Sequence, residues 1–210
     1  MTLRLALPKG RNLTTALAAL RAVGLGLEAL DGNDRKLHTR SEADDLEVLL
    51  LKDWDVPVYV QYGVADLGVV GSDVLAETDG DLLVPARFSA GGCRLSLIGP
   101  EGSLPAAGSQ VRLATKYPNL ARRLVASSPW GAEVLELKGS VELGPLLALA
   151  EVALDIVQTG ATLRENGLVE LEVVAEVQPC LVANRASYQR HRRRLNDLVV
   201  RLEEKGLVFV

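Results

Sequence analysis

The sequence predicts an α/β protein built from two small α/β domains, and three observations carry that reading. Short apolar runs alternate with stretches of helical spacing along nearly the whole chain, which is the signature of βαβ units and of a largely parallel sheet covered by helices. A turn-rich region, Ala90-Gly91-Gly92 followed by Pro100, Gly102, Pro105 and Gly108, interrupts the alternation, so a domain change falls near residues 86 to 92. The 210 residues, 48% apolar and 24% charged, suffice to build real cores.

Leu3 to Leu7 reads as the first strand. Pro8 and Gly10 end it, and Leu13, Ala16, Leu17, Leu20 and Val23 then recur at helical spacing, which puts Lys9 and Arg11 in a strand-to-helix turn. Leu46 to Leu51 is a second strand. Val56-Pro57 opens a short helix that ends at Gly63, and Leu67 to Val70 is a buried strand stopped by Gly71-Ser72-Asp73, with Asp73 read as a helix N-cap. Loops at the carboxyl ends of such strands are where open sheets bind ligands. Beyond the break come strand Cys93 to Ile98, strand Val111 to Ala114, helix Pro118 to Val125, strand Val134 to Leu137, helix Glu142 to Ala150 and strand Ala153 to Val157. Leu195, Leu198, Val199 and Leu202 share one face of a final helix that packs back on the first unit, leaving the Arg190 to Arg194 run on its outer, solvated face.

Charge and rare residues exclude several function classes. Lys and Arg number 23 against 27 Asp and Glu, a net charge of −4, so no broad positive field draws the chain to nucleic acid or an anionic membrane. An anionic ligand therefore needs a local cationic cluster. No run of 18 apolar residues occurs and no signal-peptide pattern opens the chain, so membrane spanning and export are not expected. Cys93 and Cys180 each sit in an apolar run, which suits buried, reduced thiols and a cytoplasmic location. With only His38 and His191, the zinc-ligand spacings are absent and a Ser-His-Asp site has little support; His191 reads as part of the solvated arginine run.

The most informative segment is Glu151 to Leu163, a buried strand running into Thr159-Gly160-Ala161-Thr162 and then a helical turn. Gly160 lets backbone approach a ligand, the following amides face a helix start, and the two threonine hydroxyls add donors, which together make a phosphate cradle. Asp155 and Glu151 stand where carboxylates can accept hydrogen bonds from the 2- and 3-hydroxyls of a ribose carrying that phosphate. The plainer alternative makes the threonines helix caps, Asp155 a strand-end charge and Glu151 a solvated residue. Lys9 and Arg11 likewise read either as surface cations or as phosphate ligands in a Pro-Lys-Gly-Arg turn.

Several ordered pieces resemble one family. Ala6-Leu7-Pro8-Lys9-Gly10-Arg11, Asp55-Val56-Pro57, Gly63-Val64-Ala65-Asp66-Leu67-Gly68-Val69-Val70-Gly71, Ala114-Thr115-Lys116-Tyr117-Pro118, Gly139-Ser140-Val141-Glu142-Leu143, and Asp155 to Leu163 followed by Asn166-Gly167-Leu168 are similar to ATP phosphoribosyltransferase, the first enzyme of histidine biosynthesis. The resemblance implies a two-domain fold like that of type II periplasmic binding proteins, with a ligand cleft between the domains. Residues 1 to 90 plus 178 to 210 would form domain I, and residues 91 to 177 domain II with the phosphoribosyl-phosphate loop. The chain stops at Val210, so it resembles the family's short form, which implies a hetero-oligomer with a regulatory subunit related to histidyl-tRNA synthetase, and a homodimer when alone.

The resemblance also implies the substrates, ATP and phosphoribosyl pyrophosphate. The donor would be held by Glu142, Glu151, Asp155, Gln158, Thr159, Gly160, Ala161 and Thr162, and ATP by Lys9, Gly10, Arg11, Arg35, Lys52 and Gly71. Lys52, Lys9 and Arg35 would be catalytic. Magnesium would ride on the substrate phosphates rather than on a protein site. Glu151, Ala148 and Lys52 stand where the family has Asp, Gly and Arg. Lys116 reads equally as a cleft residue or a solvated helix start, and Glu142 as a helix-end carboxylate or a ribose contact. Two rival readings are a solute-binding protein of the same fold, and a nucleotide-salvage phosphoribosyltransferase, whose loop has two adjacent acids where this chain has Asp155 alone.

Overall fold

The computed structural model describes residues 2–27, 30, 37–41 and 45–210. It contains two compact units, Met1–Gly91 with Gln178–Val210, and Gly92–Val177. The first unit runs β1 (Leu3–Pro8), α1 (Arg11–Ala22), β2 (His38–Ser41), β3 (Leu46–Leu51), a 3₁₀ turn (Asp53–Asp55), α2 (Val56–Gln61), β4 (Leu67–Gly71), α3 (Ser72–Thr78) and β5 (Leu83–Phe88). The second holds β6 (Cys93–Gly99), β7 (Gln110–Thr115), α4 (Pro118–Ser127), β8 (Gly131–Glu136), α5 (Leu143–Leu146), β9 (Val152–Val157), α6 (Ala161–Glu165) and β10 (Val169–Val177). The chain then returns to the first unit as β11 (Pro179–Ala183), α7 (Arg185–Arg190), α8 (Arg192–Glu204) and β12 (Val208–Phe209).

Among the described residues the first unit's sheet has the order β12-β5-β11-β4-β1-β3-β2, and the second unit's the order β10-β6-β9-β7-β8. Both are mixed rather than largely parallel. β1 lies parallel to β3 and β4, but β11, β5, β12 and β2 all pair antiparallel. In the second unit β7 is parallel to β8 and β9, while β6 pairs antiparallel with both β9 and β10. The βαβ alternation accounts for the parallel strands; the antiparallel ones arrive by other connections that the alternation does not announce.

The buried runs explain the central strands. β4 and β11 are buried at every position, as expected of strands covered on both faces. Leu5, Leu7, Leu46, Leu67, Phe88 and Leu181 form one core with Leu20 of α1 and with Leu195, Leu198 and Leu202 of α8. The final helix thus buries its apolar stripe in the first unit. Its arginine run is not wholly solvated, however: His191 is only 9% exposed and lies 3.7 Å from the buried Asp66, and Arg194 donates to the Asp45 carbonyl at 3.2 Å.

In the second unit, Leu95, Leu97, Leu113, Tyr117, Trp130, Val152 and Leu154 pack together. β8 starts at Gly131, three residues earlier than expected, because its parallel ladder with β7 begins at the pair Gln110–Gly131. The predicted helix Glu142 to Ala150 shrinks to Leu143–Leu146. Ala148 takes a left-handed φ of 58°, which a continuing helix cannot accommodate, and the amides of Leu149 and Ala150 fold back onto the Gly144 carbonyl.

Candidate active site

In the second unit, β9 delivers a loop that walls a cavity of about 250 Å³. Glu142, Asp155, Gln158, Thr159, Gly160, Ala161 and Thr162 all line it, together with Ile98, Ile156, Val157 and Leu163. The turn depends on Gly160, the N-cap of α6, whose φ of 70° and ψ of 10° are left-handed and cheap only for glycine. Thr159 Oγ1 sits 3.4 Å from the Ala161 amide, a long contact, and no side chain caps α6. Cap duty therefore does not absorb the threonine hydroxyls, which lie on exposed residues beside the cavity. Asp155, in the carboxyl-terminal half of β9, is half-buried; its Oδ1 accepts the Ile156 amide at 2.7 Å and forms an ion pair with Lys116 Nζ at 3.0 Å.

Glu151 does not join this cavity. It precedes β9, four residues before Asp155, and a strand rising about 3.3 Å per residue separates the two by roughly 13 Å. Instead it binds Arg112, whose Nη2 donates to Oε1 at 2.7 Å and whose backbone amide donates to Oε2 at 2.6 Å. These hydrogen bonds to the charged form lower its pKa from 4.5 to about 2. Glu151 sits just before β9 and Asp155 within it, and the extended backbone between them keeps the two carboxylates apart.

Glu151→Gln is accordingly expected to leave donor-substrate affinity within about twofold of the parent. Because the folded-state pKa is depressed, the carboxylate adds stability above the unfolded value near 4.5 and loses it as pH falls toward 2. With the Glu151 side chain 44% exposed, solvent screens the pair to about 0 to 1 kcal/mol. Denaturant melts of parent and variant should differ by no more than that at pH 7 and converge below pH 4.5.

In the first unit, three parallel strands present a cationic edge. The β1–β3 register pairs Pro8 with Leu51, and the Lys9 amide donates to the Leu51 carbonyl at 2.7 Å, so Lys9 and Lys52 are neighbours beyond the ends of adjacent strands. β4 runs parallel on the other side of β1 and ends at Gly71. Gly10 is the N-cap of α1 and no side chain caps it, leaving the helix's positive end to a ligand. Arg11, the first residue of α1, reaches to 3.9 Å from Asp73. Lys9, Gly10 and Lys52 are exposed and Arg11 is half-buried.

Asp73 is not an N-cap. Gly71 caps α3, and Asp73 is its second residue, buried with its carboxylate turned over Gly71 and toward Arg11. A Cβ on Gly71 would overlap Asp73 Oδ1, so any side chain here would push that buried carboxylate out of place. Arg35 lies outside the described residues.

Two cations beside the donor cavity were not assigned from the sequence. Arg164 on α6 folds back so that Nη1 donates to the Thr159 carbonyl at 3.2 Å, adding charge to the loop; its i+5 position on a short helix was the available signal. Lys116, left undecided, faces Asp155. Among the described residues no three His, Cys, Asp or Glu side chains gather as a metal site, and no helix is long and apolar enough to cross a membrane.

Comparison with known proteins gives one answer. Residues 52–204 match the HisG family model, described as ATP phosphoribosyltransferase. The chain is 44% identical to an ATP phosphoribosyltransferase of Thermus thermophilus, with 96% of each chain covered, and 39% identical to one of Geobacter metallireducens, covering 96% of this chain and 97% of that protein. Its structure matches an ATP phosphoribosyl transferase (HisG:HisZ) complex from Thermotoga maritima with a TM-score of 0.82 at 33% identity, covering 97% of this chain and 98% of the other. A substrate-binding protein of an amino acid ABC transporter shares the fold at a TM-score of 0.57 and 11% identity.

Proposed function

Since the chain belongs to the ATP phosphoribosyltransferase family, we propose that its second unit holds phosphoribosyl pyrophosphate on the Asp155–Leu163 loop while Lys9, Gly10, Arg11, Lys52 and Gly71 of the first unit hold ATP. The reaction is phosphoribosyl transfer to ATP, the first step of histidine biosynthesis. The observation that carries the assignment is the cavity in which Asp155 and Glu142 stand with the Thr159–Thr162 loop, two acids for a ribose diol beside neutral donors for a phosphate.

In this mechanism adenine N1 attacks the anomeric carbon, forming the C–N bond as the C–O bond to pyrophosphate breaks. The neutral nitrogen already carries its lone pair, so no general base is required. The barrier lies in an oxocarbenium-like ribose and in charge growing on the leaving group, so the protein's work is alignment and neutralisation. Asp155 and Glu142 hold the ribose hydroxyls, and their negative charge favours the cationic ring. Thr159, Thr162 and the loop amides hold the 5-phosphate, with Arg164 adding charge behind them. Lys9, Arg11 and Lys52 meet the nucleotide and pyrophosphate phosphates, joined in this reading by Arg35. Magnesium, which prefers phosphate oxygens and water, would neutralise the pyrophosphate, and the Thr159–Thr162 hydroxyl and amide donors beside it would hold the phosphate oxygens that such an ion leaves free.

The Thermotoga neighbour is a HisG:HisZ complex, which supports assembly of this chain with a regulatory subunit. The two buried cysteines, neither in a disulfide, suit a reducing, cytoplasmic setting. The test is direct: with the regulatory subunit present, pyrophosphate release should require ATP and phosphoribosyl pyrophosphate together, accompanied by an absorbance change of the adenine ring. Turnover with free purine bases in place of ATP would instead favour a salvage enzyme.

A further inference from the structure

Lys116 is the feature of the donor site that neither the loop motif nor the leaving-group chemistry explains. Its Nζ lies 3.0 Å from Asp155 Oδ1, yet Lys116 is not among the residues lining the cavity that Asp155 faces. The lysine thus meets the carboxylate from outside the set of side chains that line the cavity. Its backbone is pinned there from both sides. Thr115 Oγ1 donates to the Leu154 carbonyl of β9 at 2.8 Å and accepts the Tyr117 amide at 2.9 Å, tying Thr115 to β9 and closing a turn around Lys116. The Tyr117 ring, 2% exposed, lies 5.3 Å from Nζ and restricts the ammonium further.

We propose that Lys116 is a positioning residue: together with the Ile156 amide it saturates Asp155 Oδ1, so that Oδ2 is the oxygen presented to the ribose hydroxyls. The inference rests on the donor-loop reading above and adds to it the element that aims its carboxylate. Both contacts on Asp155 fall on one oxygen, and that asymmetry fixes the carboxylate's rotation. Without the ammonium, Asp155 keeps the Ile156 contact alone and can rotate away from the diol. A purely surface ion pair would contribute little and would not couple to ligand. A lysine touching pyrophosphate directly would act on the leaving group and leave the ribose unaffected.

Calorimetric titration of the full chain with ribose 5-phosphate and, separately, with phosphoribosyl pyrophosphate and magnesium distinguishes these cases. Lys116→Met should weaken both ligands by the same factor, about tenfold, the scale of one lost charged hydrogen bond. Lys116→Gln should match it, and Lys116→Arg should restore affinity to within about threefold. In an Asp155→Asn background, Lys116→Met should add less than about twofold, since the group it aims has changed. The inference is overturned if only phosphoribosyl pyrophosphate loses affinity, if the losses add in the double variant, or if Lys116→Arg is as weak as Lys116→Met. Should Asp155→Asn alone leave both affinities unchanged, the donor-loop reading itself falls, and this inference with it; should Asp155→Asn weaken binding while Lys116→Met and Lys116→Gln do not, only the inference falls.

Discussion

Lys52→Ala is expected to lower kcat and kcat/KM, by on the order of 2 to 4 kcal/mol, with only a small rise in KM for ATP and little change in KM for phosphoribosyl pyrophosphate. Lys52 follows β3, whose last residue pairs with Pro8, so its ammonium shares an edge with Lys9 and the uncapped start of α1. It is exposed at the end of β3, so its ammonium is open to a ligand from solvent. If it neutralises the departing pyrophosphate, its contribution peaks where that charge peaks, in the transition state. Lys52→Arg should supply a planar fork in place of a point charge and hold activity near or above the parent's. Steady-state kinetics with the regulatory subunit decide the matter: a Lys52→Ala variant within about threefold of the parent kcat removes Lys52 from the active site.

Asp155→Asn and Thr162→Ala are each expected to weaken phosphoribosyl pyrophosphate by about 1.5 to 3 kcal/mol, with ATP affinity nearly unchanged. Both residues line the cavity of the second unit, whereas the proposed ATP ligands all lie in the first. Removing a carboxylate charge from a ribose contact, or a hydroxyl from a phosphate contact, therefore strikes one substrate. Asp155→Asn should additionally lower kcat, because the carboxylate charge favours an oxocarbenium ring. Direct binding measurements with each ligand separately check the split; equal losses for both would mean a general disturbance of the fold.

The local chemistry of this protein was written in its sequence. β3 was legible residue for residue, and β1, β4, β6, β7 and β9 to within a residue or two at either end, because their buried positions carry short clusters of Leu, Val, Ile and Ala bounded by turn residues. The loop from Gln158 to Thr162 was legible too, since a glycine between threonines after such a run needs only local backbone geometry to open toward a ligand.

What only the tertiary structure decided was which charges meet. Glu151 and Asp155, four apart in sequence, are read by different neighbours: the start of β9 lies against Arg112, the end against Lys116. His191, apparently part of a solvated arginine run, is buried against Asp66, 125 positions earlier. β10 opens with a strict apolar–polar alternation, Val169-Glu170-Leu171-Glu172-Val173, a strand signal that the sequence reading missed, but its mostly exposed residues pair because β6 offers an antiparallel edge. Apolar burial is a property of a segment and shows in its composition, whereas an ion pair or a strand edge is a property of two segments, and the partner's position is set only when the sheets assemble.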